Sequence, residues 1–223
     1  MTRRVLVIAA HPDDELLGCG GTVALHSRAG DAVTSVIACE GESLRYPGGV
    51  GQDDHMRLAA QTLGVRDVIQ LGFPDQRLDT RTLTDLITPL EEAVRAVQPE
   101  LVYCQFGGDV NRDHQILFQA ILVATRPTVT GLGAVYAFDT ASSTEWGYPR
   151  TFTPDTWVDI SSTLDTKLEA MSCYRSEVRE YPHPRSLGAL RNRARAWGNQ
   201  HCIDAAEVFM TVRRTLRDGQ TPA

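Results

Sequence analysis

Short, mainly apolar runs alternate with longer amphipathic stretches along most of the chain. The runs fall at positions 4–10, 32–38, 67–71, 101–104 and 134–138, and their length predicts buried β-strands rather than helices. Between them, positions 15–29, 53–63, 82–97 and the stretch after 114 predict helices, because apolar residues recur there at helical spacing. This alternation predicts an α/β fold, a Rossmann-like and mostly parallel sheet flanked by helices.

The last third of the chain departs from this alternation. A polar loop at 141–155 precedes a short strand at 156–160, and Ser162 or Thr163 can cap the helix that follows. A basic helix comes after the Pro182–Ser186 turn, and Ala206–Arg213 is predicted as a terminal strand or helix. Because no linker or repeat divides the sequence, we expect one domain over residues 1–223 with additional strands and helices at its C-terminal end.

Polar residues follow the first strand at the point where Pro12 ends it. Pro12 lacks a backbone donor and disfavours a helical conformation at His11. His11, Asp13 and Asp14 then lie at the carboxyl end of a strand, where open α/β sheets bind their ligands. Stability alone gives little reason for an imidazole and several carboxylates there, so we interpret the segment as a metal site. The glycine-rich helix that follows is expected to pack closely on this first strand.

A catalytic zinc ion takes three protein ligands and leaves one position for water. His11 and Asp14 can supply two ligands from one loop, and His114, after the fourth strand, is the best candidate for the third. His26 lies inside the first helix and is a poor candidate. Taken alone, His114 fits an ordinary helix-start histidine, and carboxylates at a helix N-terminus are favoured by the helix dipole. The two clusters together favour the metal site, although the same ligand set also binds Fe(II), Co(II) or Ni(II).

Composition narrows the function classes. The chain has 223 residues, of which 42% are hydrophobic and 22% charged, and its net charge is −6. The negative charge argues against nucleic acid as a partner, and the lack of a GxGxxG motif after the first strand leaves dinucleotide binding without support. No apolar run approaches the roughly 20 residues of a membrane span. Scattered cysteines and the lack of a signal peptide predict a cytoplasmic protein with no membrane partner.

Two motifs resemble those of a known family. Residues 10–15 read Ala-His-Pro-Asp-Asp-Glu, and residues 109–114 read Asp-Val-Asn-Arg-Asp-His. They resemble the two metal motifs of the LmbE-like, or PIG-L-type, zinc-dependent deacetylases, and further likeness at 73–75, 174–186 and 206–209 extends the resemblance over most of the chain. The resemblance implies that His11, Asp14 and His114 are the zinc ligands and that Asp13 is the general base. Asp113 would orient a ligand from outside the ligand set.

One position departs from the family pattern. Many members carry a histidine three residues before the last ligand, where this chain has Asn111. The asparagine amide can donate a hydrogen bond to an oxyanion but cannot transfer a proton. The general acid is therefore either Asp13 itself or another group, and His183 is the second candidate.

Substrate contacts are expected from residues past other strand ends and in long loops. The candidates are Arg45, Asp75, His183 and Arg185. The resemblance implies hydrolysis of an N-acyl group, acetyl above all, from an amino sugar or related small molecule. An amidase or deformylase acting on a larger N-acyl conjugate, and a catalytically silent sugar-binding relative, are the alternatives. Relatives often assemble, so a homo-oligomer is compatible with the resemblance.

Overall fold

The computed structural model describes residues 2–41 and 52–216. The strands of this part of the chain are β1 (Arg4–Ala9), β2 (Ala32–Cys39), β3 (Asp67–Phe73), β4 (Leu101–Gln105), β5 (Ala134–Phe138), β6 (Thr156–Asp159) and β7 (Ala206–Arg214). The helices are α1 (Asp14–Arg28), α2 (Asp53–Leu63), α3 (Leu83–Val97), α4 (Arg112–Ala124), α5 (Leu164–Cys173) and α6 (Leu187–Asn199). The predicted elements lie within a few residues of these bounds.

One sheet contains these strands in the order β3-β2-β1-β4-β5-β7-β6. The strands from β3 to β5 pair in parallel, whereas β7 runs antiparallel to both β5 and β6. The predicted α/β fold, with a mostly parallel sheet and additional C-terminal elements, is therefore confirmed. The terminal segment, predicted as a strand or a helix, is the strand β7 and lies between β5 and β6.

Helices cover both faces of the sheet, and this accounts for the unbroken apolar run of β1. Side chains alternate along a strand, so Val5 and Val7 join the core of one face while Leu6 and Ile8 join the core of the other. All four are fully buried. A strand buried on both faces reads as a continuous hydrophobic run.

The glycines of α1 allow a close approach, but to C-terminal elements. A Cβ atom at Gly18 would lie 2.0 Å from the ring of Phe138 in β5, and one at Gly21 would lie 2.9 Å from Ile160. The helix also contributes to the same core as Val5 and Val7 of β1, as expected for packing on that strand. The glycines bring α1 against β5 and the end of β6.

Helix α1 is interrupted at Cys19, whose φ of −139° and ψ of 19° are not helical. An interruption leaves backbone carbonyl and N–H groups without their helical partners. Lys167 of α5 donates from Nζ to the carbonyl of Leu17 at 3.0 Å. Thr163 precedes α5 as predicted, but its hydroxyl donates to the carbonyl of Gly21 at 2.9 Å and makes no cap for α5.

Glu207 of β7 satisfies the N–H groups on the other side of the interruption. Its carboxylate accepts from the backbone N–H of Gly21 at 2.9 Å and of Thr22 at 2.7 Å. It also pairs with Nζ of Lys167 at 2.6 Å, and both side chains are buried. A buried ion pair therefore joins α1, α5 and β7.

The centre of the sheet determines where ligands can bind. β1 and β4 are parallel neighbours, and the chain connects β1 to β2 on one side and β4 to β5 on the other. Ligands of open α/β sheets bind in the crevice at such a switch point, outside the carboxyl ends of the strands. Within residues 2–41 and 52–216, no helix is both long and apolar enough to cross a bilayer.

Candidate metal centre

The three predicted metal ligands meet at the switch point between β1 and β4. His11 lies in the turn that joins β1 to α1, Asp14 is the first residue of α1, and His114 lies in the first turn of α4. Nδ1 of His11, Nε2 of His114 and Oδ2 of Asp14 form a triangle with sides of 3.0, 3.2 and 3.3 Å. All three residues are buried. We refer to these three atoms as the ligand triangle.

The ligand triangle has the dimensions that zinc requires. Zinc binds histidine nitrogen and carboxylate oxygen at about 2.0–2.1 Å with tetrahedral angles, so neighbouring donor atoms lie about 3.3 Å apart. Two imidazoles and one carboxylate are also a known ligand set of catalytic zinc sites. The residues therefore fit the metal that the sequence predicts.

A second group of donors shares His11 with the triangle. Cys39 Sγ lies 3.6 Å from Oδ2 of Asp113, and these two residues together with His11 could also hold a metal ion. Burial raises the pKa of the Cys39 thiol to about 11, so a metal ion bound there would have to displace the thiol proton. The other oxygen of Asp113 accepts the backbone N–H of Leu78 at 3.1 Å. The ligand triangle is therefore the better metal site.

Carboxylates contact the far nitrogen of each histidine. Nε2 of His11 lies 3.1 Å from Asp75 and 3.2 Å from Asp113, and Nδ1 of His114 lies 3.1 Å from Asp109. Such outer carboxylates fix the tautomer and orientation of metal-binding histidines. Asp113 therefore occupies the position predicted for it.

Asp109 is itself held by two hydroxyl groups. Ser143 and Thr144 both donate to its carboxylate, the latter at 2.8 Å. The two residues follow β5, the next strand after β4 in the sheet. Side chains from two parts of the chain, after β4 and after β5, therefore support His114.

Carboxylates outnumber cationic groups around the ligand triangle. The buried carboxylates that contact the triangle or its immediate neighbours are Asp13, Asp14, Glu15, Asp75, Asp109, Asp113 and Glu177. They face two histidines and Arg185. Buried charge is costly unless it is paired or coordinates a metal ion, so this excess of negative charge favours a bound cation.

The pKa values of the three ligand residues reflect the excess of negative charge around them. Burial lowers the pKa of both histidines, but hydrogen bonds to Asp113 and Asp14 raise that of His11 well above its usual value. The charges of Asp14 and Asp109, with their hydrogen bonds, raise the pKa of His114 to about 9. Burial raises the pKa of Asp14, but the two histidines lower it strongly overall. Without a cation, the neighbouring carboxylates favour the protonated form of both histidines.

Asp13 lies beside the ligand triangle in a strained backbone conformation. Its φ of 98° lies in the left-handed region, which costs a non-glycine residue of order 1–3 kcal/mol and is concentrated at functional sites. Burial, followed by the charge of Asp14, raises the pKa of Asp13 well above its usual value, while Arg185 lowers it. The Asp13 carboxylate lines a cavity of about 80 Å³ that also borders the triangle and has room for several water molecules.

Asn111 lines the same cavity and begins α4. Its side-chain oxygen accepts the backbone N–H of Asp113 at 2.9 Å and so caps the helix. Capping uses the amide oxygen, and the amide retains two N–H donors. The position is consistent with a donor to a developing oxyanion, as the sequence predicts.

The four predicted substrate contacts do not all lie at the cavity. Asp75 and Arg185 line the cavity, but Asp75 also contacts His11 and Arg185 also contacts Asp13. Among the residues that the structure describes, His183 is not part of the cavity lining. Its Nδ1 accepts the backbone N–H of Arg185, and its ring faces Trp146 edge-on at 6.2 Å. Arg45 lies outside the described residues.

Sequence reasoning missed roles for Asp109, Tyr174 and Glu177. Asp109 follows β4 in the same way that Asp13 follows β1, so the strand-end rule could have identified it. Tyr174 donates to Glu15 at 3.2 Å and Glu177 pairs with Arg185 at 2.5 Å. Both residues lie in the 174–186 segment that resembles the family, but no periodicity indicates their contacts with Glu15, 159 positions away, and with Arg185, 8 positions away.

Comparison with known proteins agrees with the geometry. The family described as GlcNAc-PI de-N-acetylase (PIG-L) matches residues 6–125. The chain is 30% identical to the uncharacterized deacetylase YaiS of Escherichia coli over 178 residues, covering 77% of this chain and 90% of YaiS. It is 28% identical over 192 residues to a probable N-acetyl-α-D-glucosaminyl L-malate deacetylase 2 of Bacillus cereus, covering 80% and 85% of the two chains.

A solved structure extends the likeness over the whole fold. The 4-carboxy-2-hydroxymuconate hydratase GalB of Pseudomonas putida superposes with a TM-score of 0.74 at 25% identity, covering 99% of this chain and 100% of GalB. The fold therefore occurs in a hydratase as well as in deacetylases. The match of the family to more than half of the sequence, together with the two metal motifs, shows that the chain belongs to the PIG-L family of deacetylases.

Proposed function

We propose that the protein is a metal-dependent hydrolase that removes an N-acyl group, in the first instance acetyl, from an amino sugar or an amino-sugar-containing small molecule. The observation that carries the proposal is the ligand triangle of His11, Asp14 and His114 with the buried carboxylate of Asp13 beside it. The amino sugar is supported by the family's description and by the name of the Bacillus cereus relative.

The proposal assigns zinc to the ligand triangle. A bound zinc ion would polarise the amide carbonyl and lower the pKa of water to about 7. Fe(II), Co(II) and Ni(II) accept the same donors, so the physiological metal is part of the test.

Asp13 has the central role among the residues of the chain. It accepts the proton of the attacking water as the C–O bond forms. It then returns that proton to the nitrogen as the C–N bond breaks, so that acetate and a free amine leave. Asn111 donates a hydrogen bond to the carbonyl oxygen as negative charge develops there. His183 remains the second candidate for the acid.

Two variants test this proposal. Asp13→Asn keeps the shape of the side chain but removes the base, and Asp54→Asn is the matched control because its carboxylate is 75% exposed on α2. Each protein is loaded with zinc, its metal content is measured, and amine release is followed on N-acetylated sugars and their conjugates. We expect Asp13→Asn to retain one zinc ion per chain and to lose activity by a factor of at least about 10².

The same experiment separates the alternatives. Equal activity of Asp13→Asn and wild type would exclude Asp13 as the base. Release only from substrates with long acyl chains would favour the amidase. Bound metal without amine release, together with loss of the conjugated absorbance of 4-carboxy-2-hydroxymuconate, would favour a hydratase. Bound substrate without turnover would indicate the silent sugar-binding relative.

A further inference from the structure

Arg185 lies between two buried carboxylates, Asp13 and Glu177. Its Nη1 is 3.2 Å from Oδ2 of Asp13 and 2.5 Å from Oε2 of Glu177. The arginine side chain is 16% exposed, and each carboxylate is 5% exposed. One guanidinium nitrogen therefore contacts both carboxylates, and all three side chains are largely buried.

A second set of contacts holds the backbone of Asp13. Its N–H donates to Oε2 of Glu15 at 3.2 Å, and Oε1 of Glu15 accepts the hydroxyl of Tyr174 at 3.2 Å. A strained conformation such as φ = 98° persists only where its surroundings hold it. Glu15 and Tyr174 act at the backbone end of the residue, and Arg185 acts at the carboxylate end.

We propose that Arg185, held by Glu177, is a positioning residue that keeps the Asp13 carboxylate outside the metal ligand set. The inference rests on the proposed function, in which Asp13 acts as the base. Asp13 is the sequence neighbour of the ligand Asp14 and carries the same ligand group, so a bound divalent cation attracts both carboxylates. A carboxylate bound to the metal could not accept the proton of the attacking water.

Arginine suits this position better than lysine. The guanidinium is planar, permanently charged and presents several donors in a fixed arrangement, so one group can hold two carboxylates at once. Glu177 holds the same guanidinium nitrogen, Nη1, that contacts Asp13. Arg185, held by Glu177, therefore gives Oδ2 of Asp13 a cationic partner other than the metal.

Cobalt provides a test that does not depend on turnover. Tetrahedral Co(II) absorbs visible light more strongly than five- or six-coordinate Co(II), so a further carboxylate ligand lowers the absorption. The proteins compared are wild type, Arg185→Gln, Arg185→Lys and the double variant Asp13→Asn/Arg185→Gln. Arg191→Gln is the matched control, because this arginine lies on α6 and pairs with the exposed Asp165.

We expect Arg185→Gln to bind one cobalt ion per chain with weaker visible absorption, and the double variant to recover the wild-type spectrum because the competing carboxylate is gone. Arg185→Lys keeps the charge, which protects folding, and should restore part of the spectrum.

Zinc-loaded Arg185→Gln should lose kcat by about 10²-fold with KM within threefold, since a misplaced catalytic group has that effect. Glu177→Gln should reduce kcat less than Arg185→Gln does.

Two results would overturn the inference. One is a wild-type cobalt spectrum in both Arg185→Gln and Arg185→Lys. The other is a rise in KM at unchanged kcat, which would make Arg185 a substrate contact instead. If the wild type releases no amine but the cobalt spectra change as expected, the proposed function fails while the positioning role of Arg185 stands.

Discussion

His11 uses its two ring nitrogens for different purposes. Nδ1 belongs to the ligand triangle, whereas Nε2 faces Asp75 and Asp113. A proton held on Nε2 by these carboxylates leaves Nδ1 with its lone pair free for a metal ion. The outer carboxylates therefore determine whether the inner nitrogen can bind.

Replacement of Asp113 by asparagine tests this dependence. The amide oxygen of the new side chain can still accept the backbone N–H of Leu78, but the side chain no longer places a negative charge at Nε2 of His11. We expect zinc affinity to fall about 10- to 100-fold, measured by competition with a chromophoric chelator. Asp165→Asn, a change at an exposed residue of α5, should leave the affinity unchanged. Equal zinc affinity of Asp113→Asn and wild type would contradict the proposal that Asp113 prepares His11 for metal binding.

Asn111 combines a structural and a proposed chemical role, and serine separates them. Serine is as good an N-cap as asparagine, so Asn111→Ser should keep the cap on α4 while losing the amide donors. We expect kcat to fall about 10²-fold, as for loss of one oxyanion donor, with the urea midpoint of unfolding unchanged. A parallel loss of stability and activity would instead indicate that capping is the main role.

The sequence predicts the metal ligands better than it predicts their surroundings. His11, Asp14 and His114 follow strands or begin helices, so the strand-end rule alone brings them to one edge. Asp75 was predicted at the same edge, but its contact with His11 follows from the position of the turn after β3. The contact between Arg185 and Asp13 joins residues 172 positions apart, and no periodicity indicates such a pairing.

At the level of elements, the interruption of α1 makes three elements depend on one buried ion pair. Lys167 and Glu207 satisfy the backbone groups on the two sides of Cys19. Removal of one partner leaves the other as an unpaired buried charge. The glutamate in the terminal motif at 206–209 therefore has a structural explanation.

The contribution of the Lys167–Glu207 pair to the free energy of unfolding can be measured. We expect Glu207→Gln and Lys167→Met each to lower the free energy of unfolding by about 3–5 kcal/mol, because each leaves an uncompensated buried charge. The double variant should lose less than the sum of the two, because they remove the same interaction. Urea unfolding gives these values, and Asp165→Asn, from an exposed pair, should change stability by about 0–1 kcal/mol. Additive losses would show that the two charges act independently.

The hydrophobic pattern alone does not determine the secondary structure of the last element, β7. Ala206–Arg214 is a short, partly apolar segment, and such a segment fits a strand or a buried helix equally well. In the structure, the segment pairs with β5 and β6 and is therefore a strand. The antiparallel direction follows from the connections that precede it, which periodicity does not encode.

At the level of the whole molecule, the proposed metal ion joins two separate parts of the chain and balances the buried carboxylates. Zinc at about 1,000 times its dissociation constant would stabilise the folded state by about 4 kcal/mol. For a chain of 223 residues this corresponds to a rise in Tm of about 10 °C. Calorimetry with zinc and with a chelator should show this difference in the wild type, and His114→Ala should show none. Equal Tm values for the wild type in the two conditions would contradict stabilisation by a metal ion.

The general architecture could be predicted from the sequence because it depends on local patterns. Five buried strands that alternate with helices specify a parallel sheet, and the right-handed crossover limits the strand orders available. The partners of the α1 glycines could not be predicted, because they depend on where β5 and β6 lie in the sheet. Those positions come from tertiary packing, which a single sequence does not display.

The distance in sequence between the metal ligands has a consequence for synthesis. Translation produces His11 and Asp14 before His114, which follows 103 positions after His11. A nascent chain that ends before α4 therefore holds two of the three ligands, and the ligand triangle forms only when β4 docks beside β1. Capture of the metal ion by all three ligands therefore requires synthesis to have passed α4 and β4 to have docked beside β1.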